Sequence, residues 1–133
     1  TLYSMHKAIG FSVLLLMILR IVVKIRVKSP PYPENMPRTL QMAAKSVHHL
    51  IYILLVVTPL FGWAGVTAFP ALGIVGDIQL PAMPFVPEDE ELAAGLFAIH
   101  GWLAITLGVL IAGHIAAAFR HMLRGDGIFR RMV

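Results

Sequence analysis

The sequence predicts an all-α integral membrane helix bundle, with three transmembrane helices seen here out of a four-helix bundle. Three observations predict it. Charged residues make up 14% of the chain and hydrophobic residues 58%, whereas soluble domains carry about 25% charged residues. The charges are clustered, which leaves three apolar stretches long enough to cross a hydrocarbon core of about 30 Å. The basic residues, finally, fall almost entirely on one side of those stretches. The whole chain, 1–133, then forms a single membrane domain.

The first span runs from about Leu2 to Val23. Its apolar stretch is longer than the h-region of a signal peptide and lacks a small-residue cleavage site, so it is read as a helix that stays in the membrane. An inner loop follows at 24–46, where "VKSPPYPENMPRTLQMAAKS" contains four prolines and is too polar for lipid. Its prolines predict an extended, semi-rigid tether. The second span, about 47–69, contains Pro59, which should bend the helix, and Gly62, which eases the bend. The outer loop, 70–91, mixes Pro and Gly with apolar residues and is expected to cap the bundle. The third span covers about 92–119, and 120–133 forms a basic tail.

Ten of the eleven Lys and Arg lie in the 20–45 segment or after residue 119, with Lys7 the exception. The outer loop carries Asp77, Glu88, Asp89, Glu90 and Glu91 and no basic residue. By the positive-inside rule the basic side is cytoplasmic, as is the C-terminus. The beginning of span one is then outside, which predicts a further helix upstream and a bundle of alternating topology. These charges anchor the chain in a bilayer, and no nucleic-acid partner is expected.

The chain has no cysteine, which excludes disulfides, covalently attached c-type haem and cysteine-ligated iron–sulfur clusters. Six histidines sit at or within the spans, where ionisable groups are costly and mark functional paths. His100 and His114 are fourteen residues apart in "HGWLAITLGVLIAGH". On a helix that spacing rises roughly 21 Å and returns to within about 40° of the same face. His100, Ala104, Leu107, Ile111, His114, Ala118 and His121 therefore form one stripe, with His100 and His114 in opposite leaflets. Gly101 flanks the first histidine, and Gly113, Ala116 and Ala117 flank the second. Small residues serve tight helix packing, but beside two histidines on one seam they also admit a flat cofactor.

Haem is flat, apolar and held in bundle cores by histidine. His6, at the outer end of span one and one turn before Gly10, is the partner expected for His100. For His114 the candidates are His48, His49 and a residue of the upstream helix. Arg20 lies fourteen residues after His6, on the same face, where it would either pair with haem propionates or anchor the helix.

Three stretches, "MHKAIGFSVLLLMILR", "HHLIYILLVVTPLFG" and "HGWLAITLGVLIAGHIAAAFRHM", resemble the bacterial cytochrome b561 family, beginning at that family's second helix. The third is the most specific, because it joins the 14-then-7 histidine spacing to a basic tail. The resemblance implies a four-helix, quinone-linked membrane cytochrome of the bacterial inner membrane with two haems b. It implies that His6 and His100 are the axial pair of the outer haem iron. His114 becomes one ligand of the inner haem iron, whose partner lies on the family's first helix. The cofactor-binding set is then His6, His100 and His114 with Arg20, Gly10 and Gly101. His48 and His121 fall near the quinone end, where an imidazole can pass the protons that quinone reduction requires. His49 is read as a headgroup-interface residue, and for His121 interface placement stands beside the quinone role.

The family includes a superoxide oxidase, so one function implied is transfer of electrons from superoxide outside to ubiquinone; the acidic outer loop argues against an anionic substrate. The alternative is a non-catalytic or electron-relay cytochrome b subunit anchored through the outer loop to a larger respiratory complex or dehydrogenase; a homodimer is the other assembly expected. A transition-metal transporter is the weakest reading, because the spans contain no Asp or Glu.

Overall fold

A computed structural model describes residues 1–27, 31 and 36–125. It contains three long helices, α1 (Leu2–Arg26), α2 (Arg38–Ala68) and α3 (Glu90–Arg124), and a short hairpin of β1 (Gly73–Val75) and β2 (Ile78–Gln79) between α2 and α3. All three helices are long and apolar enough to cross a membrane. At about 1.5 Å per residue even α1 exceeds the hydrocarbon thickness.

Each helix begins and ends where local chemistry allows. The Thr1 hydroxyl accepts from the Ser4 N–H at the start of α1. Asp89 caps α3, its Oδ1 accepting from the Leu92 N–H at 2.8 Å, and Glu90 and Glu91 in the first turn complement the helix dipole. At the other end of α3, Gly125 adopts a left-handed φ of 62°, a conformation that costs glycine least. Removing the α3 cap by Asp89→Ala is expected to cost about 1 kcal/mol. Reversible unfolding in mixed detergent micelles should register that loss, and Asp89→Ser should recover most of it.

The second helix starts at Arg38, nine residues before the expected boundary at 47, so 38–46 is helix and not part of a tether. The physical reason is that hydropathy marks the part of a helix that lies in lipid, not where the hydrogen-bonded ladder begins. Leu40, Gln41, Met42, Ala43, Ala44 and Lys45 are good helix formers, though not all are apolar. The Pro37 carbonyl accepts from the Leu40 and Gln41 N–H groups, which starts the ladder. The rest of the tether falls mostly on residues outside the described set. The same helix continues through Pro59 without interruption, as membrane helices tolerate.

α2 is the central helix. It packs most extensively on α3 and less on α1, while the Cα atoms of α1 and α3 stay more than 8 Å apart. It also holds most of the buried residues, among them Ile51, Leu54, Thr58 and the run Ala64–Ala68. Gly65 permits the close approach to α3, since a Cβ there would lie 2.6 Å from the Phe97 ring. On α3, Trp102, Ile105, Val109, Ile115 and Phe119 are exposed. A helix apolar on its outer face is solvated by lipid, not water.

The segment expected to cap the bundle does so, with a hairpin in it. Gly76, at φ 56°, supplies the positive φ that a two-residue turn needs between Val75 and Ile78. Trp63 Nε1 donates to the Pro81 carbonyl at 2.7 Å. The Met83 N–H donates to Thr67 Oγ1 at 3.0 Å, and the Asp89 N–H to the Ala68 carbonyl at 3.0 Å. From α1, Lys7 Nζ donates to the carbonyls of Ala71 and Gly73.

Candidate cofactor site

Among the described residues, a cavity lies towards each end of the bundle. The cavity under the hairpin has a volume of about 370 Å³ and is walled by all three helices, with buried Leu80 as its lid. His6 enters from α1 and His100 from α3. Their ring centroids are 5.9 Å apart, with the planes at 78°, although the two backbones keep apart. An imidazole nitrogen sits roughly 2.0 Å from a first-row metal. Two imidazoles on opposite sides of one iron therefore have centroids on the order of 6 Å apart, and the pair fits that spacing.

His100 is held for such a role. Its Nδ1 hydrogen-bonds the Thr58 carbonyl at 2.8 Å, which leaves Nε2 as the nitrogen that could bind a metal and fixes the ring plane. Gly62, one turn further along α2, makes the space: a Cβ there would lie 3.0 Å from both Cε1 and Nδ1 of His100. Thr58 is buried, and its Oγ1 has no hydrogen-bond partner in the cavity wall. A wall containing an orphaned hydroxyl is one that expects an occupant.

The second cavity, about 280 Å³, is lined by His48, His114 and His121 together with Met36, Ala44 and Gly113, and α1 contributes nothing to it. The rings of His48 and His114 face each other at 4.9 Å and 72°. His48 is thus the imidazole of this chain that meets His114. His49 does not; its Nδ1 hydrogen-bonds the Lys45 carbonyl at 2.6 Å on the exposed side of α2. Among the described residues no three or more His, Cys, Asp or Glu are arranged so that together they could hold one metal ion. The His6–His100 pair suits an iron whose remaining ligands come from a porphyrin, whereas a bare zinc site takes about four protein ligands.

The other residues singled out by spacing divide. Gly10 borders the first cavity. Gly101 borders neither cavity and has open space where its side chain would be. Arg20 also borders neither; its Nε donates to the Tyr52 hydroxyl at 2.7 Å. Thr58 and Gly62 carry the orientation of His100, and spacing on α3 alone could not have found them. The available signal was that both lie within "TPLFG", around the proline of the neighbouring helix.

The family model for prokaryotic cytochrome b561 matches residues 1–133. The chain is 30% identical over 129 residues to cytochrome b561 homolog 1 of Escherichia coli (strain K12), covering 96% of this chain and 72% of that one. It is 34% identical over 135 residues to cytochrome b561 homolog 2 of the same organism, covering 98% of this chain and 69% of that one. No solved structure gives a significant match.

Proposed function

The chain belongs to the prokaryotic cytochrome b561 family, and from that premise we propose that it passes electrons between the periplasmic side of the membrane and the quinone pool. Membership itself makes it a multi-pass bacterial membrane protein that carries haem b for electron transfer. Bound haem b would supply a one-electron redox couple, and two of them would supply one at each end of the bundle. The observation that carries the reading is the His6–His100 pair, with His100 locked by the Thr58 carbonyl.

In this reading His6 and His100 would hold the haem at the hairpin end, where Leu80 lines the cavity. His114 would hold haem at the other end, together with a residue of the helix that precedes α1 in the family's four-helix pattern. His48 and His121, which share the cavity of His114, serve the quinone side as proton carriers. By the positive-inside rule, that end is the cytoplasmic one in this reading.

A superoxide:ubiquinone oxidoreductase is the specific form in which the outer donor is a small anion. The basic side chain lining the outer cavity, Lys7, is engaged by two loop carbonyls, and the neighbouring acidic segment at 77–91 sets a repulsive local field. Two measurements test the proposal. Reduced protein mixed anaerobically with a short-chain ubiquinone is expected to lose its reduced Soret band in step with quinol formation; no reaction would overturn the quinone link. Stopped-flow mixing of oxidised protein with superoxide then decides the donor, since haem reduction no faster than the uncatalysed background removes superoxide from the scheme.

A further inference from the structure

The basic end of α1 carries a cluster that neither cavity uses. Arg20 and Lys24 are one turn apart, both exposed, and both lean on Tyr52 of α2. Arg20 Nε donates to the Tyr52 hydroxyl at 2.7 Å, and its guanidinium carbon lies 5.7 Å from the ring centroid. Lys24 Nζ lies 4.1 Å over the same ring. The tyrosine therefore gathers two cations from α1 onto one spot.

The hydrogen-bond balance of this spot is one-sided. The phenol oxygen accepts from Arg20, so its own O–H points elsewhere and needs an acceptor. Arg20 keeps its terminal N–H groups and Lys24 its ammonium hydrogens. The described carboxylates, at 77 and 88–91, belong to the segment packed over the opposite end of α1. Three donor groups thus converge with no anion from the described part of the chain to receive them. Two like charges drawn onto one ring repel each other, and an oxyanion between them removes that cost.

Depth identifies the oxyanion. From Leu2 to Arg20 the helix rises roughly 27 Å, and to Lys24 roughly 33 Å, so the cluster spans the far boundary of a core about 30 Å thick. That is the level of lipid phosphates, where tyrosine and basic residues concentrate. We propose that Arg20, Lys24 and Tyr52 form a binding site for the phosphodiester of an anionic phospholipid in the leaflet at the basic end of the bundle. Arg20 grips the phosphate, Lys24 neutralises the headgroup charge, and the Tyr52 hydroxyl donates the third hydrogen bond. Tyr52 also fixes α1 against α2, so an occupied site ties that helix pair to the bilayer.

The full chain, purified with its pigment, tests this by native mass spectrometry and by melting in micelles doped with dioleoylphosphatidylglycerol or dioleoylphosphatidylcholine. Wild-type protein is expected to retain phosphatidylglycerol preferentially and to melt higher in its presence. Arg20→Gln and Lys24→Gln should each weaken retention about five-fold, as about 1 kcal/mol per basic residue near a membrane surface implies. Tyr52→Phe, which keeps the ring and the packing, should weaken retention without loss of fold. Lys45→Gln, a charge change on the same side of the membrane but outside the cluster, should leave it unchanged. Equal retention of both lipids, or phosphatidylglycerol held equally by wild type and Tyr52→Phe, would overturn the proposal. So would displacement of the lipid by stoichiometric inorganic phosphate, which would mark a free-anion site. A change of haem content or midpoint potential in Arg20→Gln with lipid retention intact would instead assign the guanidinium to a haem propionate.

Discussion

Replacing His100 by alanine is expected to strip the cavity under the hairpin of its haem. The imidazole is one of two that face each other at 5.9 Å, and nothing else on that stretch of α3 can bind iron, because Phe97, Ala104, Leu107, Gly108 and Ile111 make up the rest of its wall there. His6→Ala should have the same effect, and the double variant should be no worse than either single one, since in the proposed reading the two rings would hold one iron. Pyridine haemochrome analysis of purified protein provides the readout: one haem equivalent per chain is lost in all three variants. His49→Ala provides the control. Its ring is tied to the Lys45 carbonyl on the exposed side of α2, so its pigment should match wild type. Full pigment retained in His100→Ala would remove the axial pair from the site.

The histidine pair illustrates what one-dimensional pattern can carry. The helices were legible because lipid demands long runs nearly free of charge, and a fourteen-residue interval puts two side chains on one face whatever surrounds them. His6 opposite His100 followed from depth alone, both being at outer ends. Their surroundings were not legible, since they depend on how α2 sits between α1 and α3. That setting is a matter of close contacts such as Gly65 against Phe97 and Gly62 against His100, which join residues some thirty to forty positions apart. The same cause left the meeting of His48 with His114 as one candidate beside His49 and a residue of the upstream helix. Rotation puts Arg20 on the face of His6, but rotation cannot foresee a hydroxyl on a neighbouring helix that takes the guanidinium first. The hairpin escaped because an apolar segment rich in Pro and Gly reads as loop, although Gly76 and Asp77 between Val75 and Ile78 are turn chemistry.

Gly101 and Gly62 turn that distinction into a measurement. A glycine next to a histidine on the same helix lowers a wall the ring does not face; Gly101 has open space around it. A glycine on the opposing helix determines whether the ring fits at all. Gly62→Ala would set a Cβ at 3.0 Å from Cε1 and Nδ1 of His100, so the ring must move by a few tenths of an ångström and lengthen its 2.8 Å bond to the Thr58 carbonyl. Weakening a bond that orients a metal-bound histidine typically costs 10–100-fold in affinity, so Gly62→Ala is expected to release haem faster to a scavenger protein while still binding it. Gly62→Leu leaves the ring nowhere to sit. It should lose the outer haem altogether and destabilise the bundle by about 1–3 kcal/mol through overpacking. Gly101→Ala should change neither haem release nor melting. If Gly62→Leu kept its full pigment, or if Gly101→Ala proved the more damaging substitution, the ring of His100 could not stand where α2 now holds it.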